Sequence, residues 1–179
     1  MDPRWKSFLD LIARSEATST HPLTKNNGYD VIVTGDDKAF RLPPNDRAKE
    51  IGLEIFTIYS FHPFATGRRA KVIRPAPDLL TSTAAGRYQL ELKWWRAYSL
   101  MLNLKDFSPA SQDAVAIRQI KERAALPLIE AGNIEKAIEA CSNLWASFPG
   151  NSYNQPQQQM AQLLDWYGEL LNVNQQIAT

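Results

Sequence analysis

Trp5, Phe8, Leu9 and Ile12 recur at helical spacing directly after Asp2-Pro3. An Asp cap followed by Pro at the first helical position is a helix-start signal, so the pattern predicts a short helix that buries this face and ends near Ser15–Glu16. Thr18-Ser19-Thr20-His21-Pro22 breaks the period and reads as a loop. The pattern then turns β-rich. Tyr29 to Val33 (YDVIV) is a short run closed by Thr34-Gly35-Asp36-Asp37, and Leu42-Pro43-Pro44-Asn45-Asp46 reads as a rigid turn. Leu53 to Tyr59 (LEIFTIY) is a second run and Lys71 to Arg74 a short third. Residues 29–75 therefore predict a small antiparallel β region with long excursions, not a core sheet.

The remaining pattern is helical. Between Gly86 and Leu104, the apolar positions Leu92, Trp95, Tyr98 and Leu102 lie close to a 3.6 period. Ser108-Pro109 opens another helix, with Ala114, Ile117 and Ile120 expected on its inner face. Pro127 lacks an N–H and restricts its predecessor, so this helix should stop or kink near Leu126. Asn133 is the expected cap of a further helix carrying Ile134, Ala137, Ile138, Cys141, Leu144 and Trp145 on one stripe, closed by Phe148-Pro149-Gly150. A Gln-rich loop leads into a last helix over 156–171, with Met160, Leu163, Leu164 and Tyr167. Helices grouped around one small β region make an α+β domain, and 179 residues suffice for a single one.

Composition narrows the function classes. Hydrophobic residues at 44% and charged residues at 22% are globular proportions. Twenty Lys and Arg against nineteen Asp and Glu leave a net charge of +1, which, with no docking motif, argues against a nucleic-acid binder. Arg68 to Arg74 (RRAKVIR) is the nearest thing to a basic face; it reads as a solvated surface strand or as a surface for an anionic polymer. The single cysteine, Cys141, allows no intramolecular disulfide. Its place on an apolar stripe predicts a buried, inert thiol and a reducing compartment of synthesis. The chain starts without a secretory-signal pattern, and no stretch approaches the ~18 apolar residues of a membrane span. His21 and His62 are isolated, and the glycines are scattered, so neither metal-ligand spacing nor a phosphate loop is present and no metal or cofactor is expected.

Nineteen carboxylates offer no obvious choice of catalytic group. Glu16 has one independent recommendation: it stands at the end of an apolar-faced helix beside small residues. A helix C-terminus and partial burial both disfavour its charge, and both would keep it protonated as a general acid requires. An ordinary surface glutamate at a fraying helix end fits the same pattern. Trp94, Trp95 and Trp145 invite assignment as stacking platforms, although the helical spacing of Trp95 and Trp145 favours core.

Five runs carry a family resemblance: FLDLIARSEATS (Phe8 to Ser19), NGYDVIV (Asn27 to Val33), STAAGRYQL (Ser82 to Leu90), LKDFSPASQDAVAIRQIKERAALPLI (Leu104 to Ile129) and CSNLWASFPG (Cys141 to Gly150). In this order they resemble the lambda-type bacteriophage endolysins over nearly the whole chain. The resemblance implies a lysozyme-like α+β fold, with a helical lobe over 1–20 and 86–175, a β lobe over 27–80, and a cleft between them. It implies a lytic transglycosylase acting on peptidoglycan glycan strands. Such enzymes cut the β-1,4 bond between N-acetylmuramic acid and N-acetylglucosamine and leave a 1,6-anhydro ring. Glu16 would be the catalytic acid and then base. Tyr29, Asp30, Ser82, Thr83, Gly86, Tyr88 and Gln89 would be substrate-binding. Gly86 would allow close backbone approach and Gln89 would pair with an acetamido group; Tyr29 and Tyr88 would either stack on a sugar or fill the lobe junction. Asp30 would have a structural or sugar-contacting role.

The stretch from Asp36 to Glu54 departs from the family pattern in being longer and more polar, which predicts a longer hairpin or a flap over the cleft. Two alternatives stay open. One is a hydrolytic muramidase using a second carboxylate such as Asp30, Asp36 or Asp37; the other is a non-catalytic peptidoglycan-binding protein. The resemblance further implies a monomer that waits in the host bacterial cytoplasm, is released by a separate holin, and acts on periplasmic peptidoglycan.

Overall fold

The structure, a computed structural model, describes residues 1–35, 52–153 and 155–178. Helix α1 spans Pro3–Ser15, with the Asp2 carboxylate accepting from the Arg4 N–H at 2.7 Å. Its buried face carries Phe8, Leu9, Leu11 and Ile12, and Trp5 packs partly buried beside them. Strand β1 (Val31–Ile32) pairs antiparallel with β2 (Glu54–Ile55), and β3 (Lys71–Arg74) pairs antiparallel with β4 (Leu80–Ser82). Four helices follow: α2 (Leu92–Met101), α3 (Pro109–Glu122), α4 (Leu126–Glu130) and α5 (Ile134–Cys141). The last described helix, α6, spans Met160–Ile177 and packs against α1.

Local differences from the sequence pattern have physical causes. The second β run pairs only at Glu54–Ile55, because Phe56 and Tyr59 then fold onto Phe107, whose N–H donates to the Tyr59 carbonyl at 2.7 Å. Residues 86–90 form a tight turn instead of helix: Gly86 and Gln89 have φ of 77° and 49°, in the left-handed region that no α-helix contains. Helix α3 buries Ser111, Gln112, Val115, Ala116 and Ile120, while Ala114 and Ile117 are only half-buried. Its inner face is turned toward Gln112. Pro127 sits in the first turn of α4 and does not end α3, which stops at Glu122. The last helix starts four residues later than the pattern suggested, since Gln158 donates its N–H to the Ser147 carbonyl at 2.8 Å. It extends to Ile177, where Asn174 bonds Ser7 and Asp10 of α1, each at 3.0 Å.

Two apolar clusters form the core. One joins α1, α3, α4, α5 and α6 and includes Cys141, whose thiol pKa is pushed up to about 12 by burial. The other lies under the β ribbons and contains Ile32, Phe56, Phe64, Leu90, Trp95, Phe107 and Val115. Trp95 and Trp145 are both core, while Trp94 is half exposed. The basic run is partly drawn inward: Arg68 pairs with Glu54, and the buried Lys71 does so at 2.8 Å, tying β3 to β2. Between the clusters lies Arg87, 2% exposed, paired with Asp10 at 2.6 Å and donating to the Asn27 carbonyl.

His62 is fully buried against Phe107, with ring centroids 4.6 Å apart. Its Nδ1 accepts from the Phe64 N–H, so Nε2 carries the proton and donates to the Leu90 carbonyl at 2.9 Å. Burial lowers the imidazole pKa to about 4. Protons therefore bind the unfolded chain more readily. The contribution of His62 to stability is complete above about pH 6.5 and is lost as pH falls toward 4, by about 3 kcal/mol over that window. Denaturant melts of wild type and His62→Gln at pH 7 and pH 4.5 check this: the variant should lose much less stability between them.

Candidate active site

Glu16 is the C-cap of α1, and the turn that follows it is over-determined. Ala17 has φ 55°. Its N–H donates to the Arg14 carbonyl at 3.1 Å, and the Thr18 N–H donates to the Ala13 carbonyl at 2.9 Å. These are the two crossed bonds of a Schellman motif, with Ala where glycine is usual. Thr18 is then locked from the side chain as well, donating through Oγ1 to the Arg87 carbonyl at 2.6 Å. The helix end cannot fray, and Glu16 is fixed in direction.

Its side chain points into a cavity of about 370 Å³ between the end of α1, the loop through His21 and strand β1, with Gln89 and Leu53 on its walls. That volume falls in the range of small-ligand sites. Glu16 is the only carboxylate lining it among the described residues. The backbone around Glu16 is crowded while one side faces the cavity, and this burial raises its pKa. Two hydrogen bonds from Ser147 oppose the rise, from Oγ at 2.6 Å and from the N–H at 3.3 Å, both to Oε1. Trp145 and Phe148, edge to face at 5.7 Å, hold Ser147 in place. The site thus contains a carboxyl whose charged form is disfavoured by burial, with donors already directed at one oxygen to receive that form.

The other sequence-derived candidates are distributed unevenly. Gln89 lines the cavity, in a left-handed conformation fixed by its Nε2 donating to the Gly86 carbonyl at 3.1 Å. Asp30 is 3% exposed; its carboxylate accepts from Thr24 Oγ1 at 2.5 Å and from the Lys25 N–H at 2.8 Å. It organises the loop before β1. Tyr29 and Tyr88 both donate to Asp113 Oδ1 at 2.7 Å and meet edge to face at 6.3 Å. Tyr88 is 5% exposed, so its ring fills the junction between the lobes. Burial and the Asp113 carboxylate push the Tyr29 hydroxyl up to about 12. Ser82 and Thr83 bond Glu91 at 2.8 and 3.2 Å, and Thr83 Oγ1 accepts from the Leu92 N–H at the start of α2. Gly86 does allow a close approach, but to the side chain of Gln112. Asp36, Asp37 and residues up to 51, including most of the longer segment, lie outside the described residues.

Sequence reasoning missed Ser15, His21, Gln112 and Ser147. Gln112 was detectable as a lone amide on an otherwise apolar helix face. Ser147 sits inside the CSNLWASFPG run, but nothing along the chain links it to a glutamate 131 positions away. Among the described residues, no group of three His, Cys, Asp or Glu could hold a metal ion.

Comparison with known proteins shows the family and the fold. A family model described as Endolysin matches residues 6–172. The endolysin of Escherichia phage P2 is 50% identical over 159 residues, covering 88% of this chain and 87% of its own. The endolysin of Escherichia phage lambda is 50% identical over 151 residues, covering 84% and 80%. The bacteriophage lambda lysozyme complexed with a chitohexasaccharide superposes with a TM-score of 0.76 at 45% identity, over 95% of each chain. A second structure of lysozyme from bacteriophage lambda gives 0.74 at 43%. The α+β fold is therefore lysozyme-like, and the chain belongs to the endolysin family.

Proposed function

We infer that the protein is a lytic transglycosylase that degrades peptidoglycan, cutting the β-1,4 bond between N-acetylmuramic acid and N-acetylglucosamine without water. The observation that carries this reading is Glu16, the one carboxylate lining its cavity among the described residues, with the Asp30 carboxylate bound into its own loop. Both hydrolytic geometries need a second carboxylate, as nucleophile or to activate water. Intramolecular ring closure needs one group that gives a proton and later takes one. A lambda lysozyme complexed with a chitohexasaccharide supports a glycan as ligand.

Glu16 in its neutral form would donate its proton to the glycosidic oxygen as the C1–O bond breaks. The resulting carboxylate would then accept the proton of the muramic C6 hydroxyl as that oxygen bonds to C1. Glu16 ends the cycle protonated, and no water is consumed. In this reading a separate holin releases a monomeric enzyme from the host cytoplasm to the periplasmic wall.

Mass spectrometry of muropeptides from digested sacculi tests the chemistry. Every new N-acetylmuramic acid end should carry the 1,6-anhydro ring, one water lighter than a reducing end, and every new N-acetylglucosamine end a free 4-hydroxyl. Reducing ends alone would replace this reading with a hydrolytic muramidase.

A further inference from the structure

Glu16 Oε1 lies at the head of a short chain of hydroxyls. Ser147 Oγ is 2.6 Å from Oε1 and 2.9 Å from Ser15 Oγ, and Ser15 Oγ is 2.9 Å from the Ile12 carbonyl. Ser15 and Ser147 are 5% and 7% exposed, so solvent has little access to either hydroxyl. Each hydroxyl has one proton. While Ser147 donates to Oε1, the two serine protons cannot serve all three short contacts: Ser15 donates either to Ile12 or to Ser147. The Ser147 N–H, at 3.3 Å, adds a fixed donor to the same oxygen.

We propose that Ser147 and Ser15 form a switchable hydroxyl relay that positions the Glu16 proton on Oε2 and follows the charge of the carboxyl through the reaction. With two donors on Oε1, the acid proton resides on the other oxygen. Ser15 then donates to Ile12. When Glu16 releases its proton, Oε1 becomes a stronger acceptor. The Ser15 hydroxyl rotates from the Ile12 carbonyl to Ser147 Oγ, giving Ser15–OH to Ser147–OH to carboxylate. No covalent bond changes in either serine. The chain of polarised donors favours the charged form selectively, because charge-assisted hydrogen bonds are about twice as strong as neutral ones. Ser147 and Ser15 are positioning residues: they act through Glu16. His21 and Gln89 line the cavity with Glu16, and His21 is the only other titratable group lining it among the described residues. Its imidazole pKa is lowered by burial, partly offset by the Asp30 charge.

This rests on Glu16 being the acid and base, so its test includes Glu16→Gln. Initial rates on purified sacculi are measured from pH 4 to 9 for wild type, Ser147→Ala, Ser147→Thr, Ser15→Ala and the double alanine variant, beside a carbon-13 titration of the Glu16 carboxyl. Ser147→Ala should move the alkaline limb of activity and the carboxyl titration upward together, by about one pH unit, and lower the maximal rate about tenfold. Ser15→Ala should move both in the same direction by less, Ser147→Thr should restore them, and the double variant should move them no further than Ser147→Ala. An unshifted profile in Ser147→Ala, or additive shifts in the double variant, overturns the relay. Should Ser147→Ala not fold, the Ser15→Ala titration decides alone. Wild-type activity in Glu16→Gln instead removes the reading of Glu16, whatever the serines do.

Discussion

Glu16→Gln should fold like the wild type and lose sacculus-clearing activity by about 10³-fold or more. General acid and base roles are each worth about 10² to 10⁴, and one group would fill both. The amide keeps the shape and still accepts from Ser147 through its oxygen, so packing around α1 is preserved. Stability should move the other way. Burial holds the Glu16 pKa above its ordinary value of 4.5, which means the folded state disfavours the charge. Glu16 therefore contributes a loss of stability that sets in as pH rises from about 4.5 through the raised value, and the glutamine variant lacks that contribution. The variant's advantage should be absent at pH 4, grow with pH and then level off. Thermal melts between pH 4 and 8 measure it, and retained clearing activity would remove Glu16 from the mechanism.

Gly86→Ala should destabilise the protein by about 3–5 kcal/mol, lowering its Tm by about 10 °C. A Cβ at Gly86 would lie 2.2 Å from Gln112 Oε1 and 2.7 Å from its Cδ. That amide cannot easily retreat. It donates to the Tyr29 and Phe107 carbonyls at 3.0 and 2.9 Å and accepts from the Arg87 N–H at 2.9 Å. Losing these buried bonds adds to the left-handed backbone penalty at φ 77°. Gly132 provides the control, with the same φ and nothing within 4 Å of its Cβ position. Gly132→Ala should cost only the backbone penalty, about 1 kcal/mol. Equal losses in the two variants would show that Gln112 is not the reason for glycine at 86.

What the sequence made legible was local. Asp2-Pro3 and Ser108-Pro109 start helices because capping needs only neighbouring residues, and Ser108 Oγ does accept from the Ser111 N–H. The apolar stripes of α1 and α5 are buried as their period requires. Glu16 stood out through its position on α1 and more strongly through the ordered family runs. The tertiary partners were not legible. Tyr29 and Tyr88 are polar-tipped aromatics equally suited to a sugar or to a core, and Asp113, 84 and 25 positions away, decides between them. Ser82 and Thr83 looked like cleft contacts until Glu91 was seen to engage both. Gly86 was read as a substrate-binding place of close approach, and the neighbour that a Cβ there would meet is Gln112. The first two β runs overstated their strands, whereas Lys71–Arg74 is a strand over its full expected length.

The contact between α1 and α6 bears on how the protein is made. Phe8, Leu9 and Ile12 share one buried cluster with Leu163 and Tyr167, and Arg14 pairs with Glu169 at 2.7 Å. These partners are the first and last helices described. On the ribosome the apolar face of α1 is synthesised first and waits for almost the entire chain before its cover emerges. Domains dominated by such distant contacts fold slowly and expose apolar surface meanwhile. The same order of synthesis delays the chemistry: Glu16 is made early, but Ser147 and the helix that closes over α1 come late. A chain that ends before Ser147 thus carries Glu16 without the hydroxyl bound to its Oε1 and without the helix packed over α1.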